Sequence, residues 1–310
     1  MACNRDVCKI TWRLGAGVDK LAGIVIGADE MTRVEYSDAE QRFEHRKDLE
    51  RLEALRPIDD DFMRCLFRGQ PELAQEVLRT VTGIADLVVT HTETQRDIKR
   101  LAGARSVCLD VWAKDSAGRE YDFEVQRADS GADAHRARYH SSVMDVESLS
   151  SSEDFRALPE SYVIFLTECD EFGAEMGVYR FVRVDMALGI PFGDGSHILY
   201  VNARYNGDDP LGDLMHDFLC SDPDDMRVSS LAERVRYLKR DPEGVSYMCK
   251  MMEEMRYEAL QKGLQRGALS TLASLVRDGI ISVQDAAARM GVDADRFARM
   301  VSEEGLSLAR

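Results

Sequence analysis

The stretch SYVIFLTE at residues 161–168 constrains the fold of this chain more than any other segment. It is almost wholly apolar and rich in β-branched and aromatic residues, which is typical of a central β-strand that is buried on both faces. A strand of this kind needs a packed layer on each side. The sequence therefore predicts an α/β fold, with a sheet flanked by helices.

The elements around this strand follow the order helix, three strands, helix, strand. The first helix is indicated by Pro71, which suits a first turn, and by Gly83, which suits a C-terminal stop. YRFVRVD and HILYVNARY are candidates to extend the sheet. The segments that define the order are PELAQEVLRTVTG, DLVVTHTET, SVCLDVWAKD, REYDFEVQR, DAHRARYHSSVMDVESL and SYVIFLTE.

We divide the chain into three segments. Residues 1–50 form a poorly patterned N-terminal extension, residues 51–225 the α/β domain, and residues 226–310 a helical C-terminal region. Within the extension, GAGVDK fits neither a dinucleotide fingerprint nor a P-loop and is interpreted as a loop, and LAGIVIGA is too brief for a signal peptide. A charged, helix-like run from Asp38 to Arg56 is ended by Pro57.

The end of the chain predicts two short helices around a glycine turn. Ser282 with Asp285 forms a capping signal, Gly291 separates the helices, and Asp293 caps the second. This pair resembles a helix-turn-helix that would read DNA, but a helical cap or an oligomer contact explains the same pattern. A homo-oligomer formed through the methionine-rich helix YMCKMMEEMRYEAL is a further hypothesis.

Composition excludes several classes of protein. The formal net charge of −16 and the pI near 4.9 disfavour loose adhesion to nucleic acid or to an anionic membrane, so any phosphate-binding surface must be local. The 7 cysteines contain no CxxC pair and indicate reduced thiols. No apolar run is long enough to span a bilayer. We therefore expect a cytoplasmic protein without membrane partners.

Acidic residues lie in the middle of two strands that form a predicted hairpin. In the second strand Tyr121, Phe123 and Val125 alternate with polar residues, so Glu124 and Gln126 share the opposite face. If the turn is centred near residue 117, Asp110 lies opposite Glu124, with Cβ atoms about 5 Å apart. Two charges at that distance repel by roughly 3 kcal/mol at an effective dielectric near 20, which a divalent cation would remove. The alternative is a solvated strand face, where the repulsion is small.

These features resemble the PD-(D/E)XK nuclease superfamily, and specifically its transposase-associated branch, the recombination-promoting (Rpn-like) nucleases. The resemblance is carried by D…ExQ on the hairpin and by the order of the elements. It extends over about residues 57–255 and includes IDDDFMRCLF, TQRDIKRLAGARSVCLDVWAKD, YDFEVQR, HRARYHSSVMD, YVIFLTE, ILYVNARY and LMHDF.

The resemblance implies a Mg²⁺-dependent DNA endonuclease, with Mn²⁺ as an alternative ion, linked to recombination or to a mobile element. Asp110 and Glu124 would hold the ion and activate a water, and the carbonyl of Val125 is a candidate ligand. Gln126 replaces the usual lysine of the superfamily. Because an amide cannot accept a proton at pH 7, Gln126 would orient water or a phosphate oxygen. The alternative function is a catalytically inactive nuclease fold that binds DNA or a protein.

Other residues are candidates for supporting roles. Lys114 lies about 13 Å along the strand from Asp110, too far to replace the missing lysine. On the following helix, Arg138 shares a polar face with His135 and Ser142 and, helped by Arg136, could contact DNA phosphate; a solvated helix face is the alternative. One more acid of the superfamily site would come from the first helix region, where Asp61, Glu72 and Glu76 compete.

Overall fold

The structure of the protein is a computed structural model, and it describes residues 38–98, 107–127 and 132–308. The predictions for GAGVDK, for LAGIVIGA and for most of the N-terminal extension lie outside these residues. The first described element is helix α1, Asp38–Ala54, which ends before Pro57 as the sequence predicts.

A mixed sheet of six strands forms the centre of the molecule, in the order β1-β2-β3-β4-β6-β5. The first three strands are antiparallel, β4 is parallel to both β3 and β6, and β5 runs antiparallel to β6. This arrangement confirms the prediction of an α/β fold. The strands are β1 Val89–Ile98, β2 Val107–Asp115, β3 Glu120–Gln126, β4 Ser161–Thr167, β5 Val178–Phe181 and β6 Ser196–Asn202.

Helices cover both faces of the sheet. They are α2 Asp60–Phe67, α3 Pro71–Thr82, α4 Ala134–Ser148, α5 Pro210–Leu219, α6 Ser229–Arg240, α7 Pro242–Arg277, α8 Val283–Arg289 and α9 Ala294–Glu303, and a short 3-10 helix spans Phe155–Ala157. The larger core lies between the sheet and α2, α3, α5 and α6, and the smaller core lies between the sheet and α4.

Strand β4 shows why the sheet needs both layers. Ile164 and Leu166 point into the larger core, whereas Val163 and Phe165 point into the smaller one, and all four side chains are fully buried. A strand with apolar residues on both faces is stable only between two layers. The sequence prediction of a central strand is therefore confirmed.

The boundaries of the first elements are partly as predicted. Pro71 lies in the first turn of α3, and Gly83 ends the helix in the left-handed conformation, with φ of 76°. Helix α2 was not assigned from the sequence. Strand β1 begins at Val89 and continues to Ile98, so the predicted segment 86–94 is placed too early in the chain.

The β2–β3 hairpin has the predicted register. Val111 pairs with Phe123 and Lys114 with Glu120, so that paired residue numbers add up to 234. The turn is fixed by Asp115, whose side chain accepts hydrogen bonds from backbone amides within the turn, and by Gly118, with φ of 84°. Positive φ favours glycine because it has no Cβ.

The C-terminal part is helical, as predicted, and has a small core of its own between the end of α7, α8 and α9. Ser282 and Asp285 form a reciprocal capping box, and Asp293 caps α9, which confirms the predicted helix starts. Among the described helices, none combines the length and the apolar character needed to cross a membrane.

Candidate functional site

The acidic face of β3 is buried. Asp122 and Glu124 are 0% exposed and Gln126 is 4% exposed, because α4 covers this side of the strand. The opposite face carries Tyr121 and Phe123 in the larger core. The alternative of a solvated strand face is therefore wrong. Buried carboxylates need partners or a ligand, since desolvation disfavours their charged form.

Strand β2 is irregular at Asp110. Leu109 lies in the smaller core, whereas Val111, two residues further on, lies in the larger core. In a regular strand these two residues would share a face. The pairing with β1 continues on both sides of Asp110 and Gln95, and Gln95 has a φ of 57°, which is unusual for a residue other than glycine. The irregularity changes the direction of the side chains at the point where Asp110 meets β3.

Beyond Val111 and Phe123, the last regular pair of the hairpin, β2 and β3 are joined by hydrogen bonds between carboxylates and backbone amides. The backbone amide of Asp110 donates to Glu124 Oε1 at 2.9 Å, and the amide of Val125 donates to Asp110 Oδ2 at 3.3 Å. Each acid is thus held by the backbone of the opposite strand. The structure brings Asp110 and Glu124 together, as the hairpin register predicts.

Helix α4 supplies two side chains that contact the acidic face. Arg136 Nη2 donates to Glu124 Oε2 at 2.8 Å, and its Nη1 donates to Gln126 Oε1 at 2.8 Å. One helical turn later, His140 Nδ1 lies 2.8 Å from Asp122 Oδ2. Arg136 was predicted as a phosphate contact, and in this structure its guanidinium neutralises a buried carboxylate. Neither Asp122 nor His140 was identified from the sequence.

The pKa values of the three clustered acids lie far above their usual range. Burial raises the pKa of Asp110 to about 7, and the nearby charge of Glu124 adds to this effect. Burial likewise raises the pKa of Asp122 to about 8 and that of Glu124 to about 8. Their positive neighbours only partly offset the burial, so the charged forms of these acids are disfavoured unless a further positive charge binds beside them.

Helix α2 adds one more acid and one cation to these surroundings. The charge of Asp60 raises the pKa of Asp110, while Arg64 opposes that shift. Partial burial also raises the pKa of Asp60 itself. Of the acids proposed from the sequence, Asp61 pairs with Arg51 at 3.4 Å. The acid electrostatically coupled to Asp110 is thus the residue next to one of the predicted candidates.

The other predicted residues lie outside this cluster. Lys114 Nζ lies 3.1 Å from Glu120. Glu72 is exposed, and Glu76 accepts a hydrogen bond from Ser230. Arg138 is exposed on α4, and Ser142 donates to its carbonyl oxygen. His135 bonds Asp133 at the start of the same helix.

The buried cluster fits a divalent cation. One ligand atom from each of Asp122, Glu124 and His140 lies within 4.8 Å of the others. Asp122 Oδ1 is buried and has no hydrogen-bond partner among the described residues. An unpaired buried carboxylate oxygen is costly, and either a proton, which the raised pKa of Asp122 favours, or a bound cation would remove that cost.

Comparisons of the chain with protein-family models, with curated proteins and with solved structures find no match. The resemblance to the PD-(D/E)XK superfamily therefore stays a prediction.

Proposed function

We propose that the protein is a divalent-metal-dependent DNA endonuclease with a PD-(D/E)XK-type core, as the sequence resemblance implies. The observation that supports this proposal is the convergence of Asp110 and Glu124 at the irregularity of β2, where each is held by the opposite strand. Burial is the main cause of the raised pKa of both acids, so their charged forms need more positive charge than the surrounding groups provide. A hard divalent cation would supply that charge.

Each residue of the site has a distinct role in this proposal. Asp110 and Glu124 would hold Mg²⁺ or Mn²⁺, which supplies charge stabilisation at the scissile phosphate and activates water for attack. The side-chain oxygen of Gln126 accepts a hydrogen bond from Arg136, and its amide nitrogen would donate to water or to a phosphate oxygen. Asp60 and Arg64, on α2, make smaller and opposite contributions to the electrostatic potential at Asp110.

DNA binding to a chain with a net charge of −16 requires a local concentration of cations. Arg136 and Arg64 lie within the site, and Arg127 follows directly after β3 with its side chain 50% exposed. The exposed Arg138 extends this group along α4. These side chains are the candidate phosphate contacts of the proposed nuclease.

The proposal is tested by nicking of supercoiled plasmid DNA in Mg²⁺ or Mn²⁺. We expect cleavage by the wild type, and a loss of at least a hundredfold in Asp110→Asn and in Glu124→Gln. Glu93→Gln is the matched control, because Glu93 is an exposed acid on the neighbouring strand β1. Folded wild-type protein that cleaves DNA in neither ion, or cleavage that survives both substitutions, would overturn the proposal.

A second candidate function is a nuclease fold that binds DNA without cleaving it. Both oxygens of Glu124 already accept internal hydrogen bonds, from the Asp110 amide and from Arg136. Such a closed network is also what a non-catalytic module needs to keep its acids stable. DNA binding in the presence of a chelator, with no product in either ion, would favour this function over the first.

A further inference from the structure

The deepest polar pair of the site is Asp122 with His140, which are 0% and 4% exposed. Asp122 Oδ2 faces His140 Nδ1 at 2.8 Å, whereas Oδ1 of the same carboxylate has no hydrogen-bond partner among the described residues. Neither residue is needed to explain how Asp110 and Glu124 are held. This pair therefore calls for a separate explanation.

The pair shares its surroundings with Glu124. The three ligand atoms of Asp122, Glu124 and His140 lie within 4.8 Å of one another. Donor atoms bound to one octahedral cation at about 2.1 Å are separated by about 3 Å when adjacent and by about 4.2 Å when opposite. The cluster is thus near the size that a divalent ion requires, and the same Asp122 carboxylate carries the buried oxygen without a hydrogen-bond partner among the described residues.

We propose that Asp122, Glu124 and His140 form a second divalent-cation site beside Asp110, that Glu124 is common to both sites, and that His140 selects Mn²⁺ or a later first-row ion over Mg²⁺. Imidazole suits transition-metal ions, whereas Mg²⁺ prefers oxygen ligands. The inference rests on the proposed function for its chemistry, since paired cations are a recurrent arrangement in phosphodiester hydrolysis. Binding of the ion does not require turnover.

Arg136 determines how this second site is filled. Its guanidinium donates to Glu124 Oε2 and contacts His140 Nε2 at 3.5 Å. In the metal-free protein it therefore supplies the positive charge next to two of the three proposed ligands. The Arg136 side chain is 40% exposed, which leaves it a path toward solvent. A cation on Glu124 would release the guanidinium to contact the phosphate of a substrate. The arginine predicted as a phosphate contact would then take that role in the metal-loaded protein.

The test uses the full-length protein with Mn²⁺ as the probe. Titration followed by electron paramagnetic resonance gives the number of bound ions, and pulsed measurements detect a ¹⁴N nucleus bonded to Mn²⁺. We expect two ions per chain and a ¹⁴N signal in the wild type. His140→Gln should bind one ion and lose the ¹⁴N signal, whereas Asp110→Asn should bind one ion and keep it.

Two further variants make the result specific. His91→Gln removes an exposed histidine that also pairs with an acid, Glu93, and it should behave as the wild type does. Asp122→Asn keeps the size of the side chain and should weaken Mn²⁺ binding at the second site at least tenfold. If His140→Gln does not fold, Asp122→Asn decides the question, because the ¹⁴N signal should weaken together with the second site in that variant and persist in His91→Gln.

The inference is overturned if Mn²⁺ bound to the wild type shows no ¹⁴N coupling, or if the coupling survives in folded His140→Gln. Its failure is distinguishable from failure of the proposed function. A ¹⁴N signal without any DNA cleavage would refute the nuclease and support the second site. DNA cleavage without a ¹⁴N signal would support the nuclease and refute the second site.

Discussion

The two faces of strand β3 differ in chemistry although both are buried. One face carries Tyr121, Phe123 and Val125 in the larger core, and the other carries Asp122 and Glu124 beneath α4. Burial of an apolar face removes apolar surface from water and stabilises the fold. Burial of an acidic face at the same depth is destabilising unless hydrogen bonds or positive charges offset the lost hydration. Two layers of similar burial can therefore make opposite contributions to stability, and the destabilising layer is the candidate site.

The largest expected difference in stability is between substitutions of two adjacent residues of β3, one on each face of the strand. Phe123→Ala should lower the free energy of unfolding by about 3–5 kcal/mol, because it opens a cavity in the larger core. The Phe123 ring lies 6.1 Å from the rings of both Phe67 and Phe218. Glu124→Gln should leave the stability of metal-free protein unchanged or raise it. Urea unfolding at pH 8 in chelator measures both; equal losses would contradict the comparison.

The second largest expected effect on stability concerns Arg136, whose guanidinium pairs with Glu124. At pH 8, where Glu124 is about half ionised, Arg136→Met should lower the free energy of unfolding by about 2 kcal/mol, because it leaves the buried Glu124 carboxyl group without its partner. The loss stays below that of a fully buried pair because the arginine side chain is 40% exposed. In the double variant with Glu124→Gln most of the loss should disappear, as a double-mutant cycle would show. Additive effects of the two substitutions would mean that the pair is not coupled.

A pH dependence follows from the raised pKa of Asp122, which burial moves to about 8. The unfolded chain has an aspartate pKa of about 3.9, so between these values the folded state binds more protons than the unfolded state. The stability of metal-free protein should therefore be greatest below about pH 4 for this group, and it should fall as the pH rises through 8.

Asp122→Asn removes this titration. Its stability should exceed that of the wild type at pH 8 by on the order of 2 kcal/mol, with the difference shrinking toward pH 4. Urea unfolding at several pH values in chelator gives both profiles, and Glu93→Gln at the surface serves as the control. Parallel profiles for the wild type and Asp122→Asn would show that Asp122 is not held in its protonated form.

The sequence predicted one of these faces better than the other. Alternation and the turn near residue 117 were enough to place Phe123 inside and to bring Asp110 close to Glu124, because both signals are local. The burial of the acids depends on α4, which packs on their side of the sheet. Local sequence patterns do not specify which side of the sheet a helix covers. Arg136 and His140 are spaced by one helical turn on α4, and this spacing is the sequence signal for the polar row that faces the acids.

The irregularity of β2 at Asp110 could not be predicted from the sequence either. The positive φ of Gln95 in β1 accompanies the change of side-chain direction at Asp110. A pattern with a period of two predicts that Leu109 and Val111 share a face, and here the structure differs. Irregular strand positions of this kind occur near active sites, where they redirect a side chain. The departure from local regularity thus coincides with the acids proposed to hold a metal ion.

The smallest expected effect on stability concerns Arg138, at the solvent-exposed side of the helix that covers the acids. Arg138→Ala should change the free energy of unfolding by less than about 0.5 kcal/mol, because the side chain is exposed. If Arg138 contacts a DNA phosphate, the slope of log affinity against log salt should fall by about one. Lys262→Ala, an exposed cation on α7, is the control. Fluorescence anisotropy with duplex DNA at several salt concentrations measures the slope, and an unchanged slope would remove Arg138 from the DNA interface while leaving Arg136 as the phosphate contact of α4.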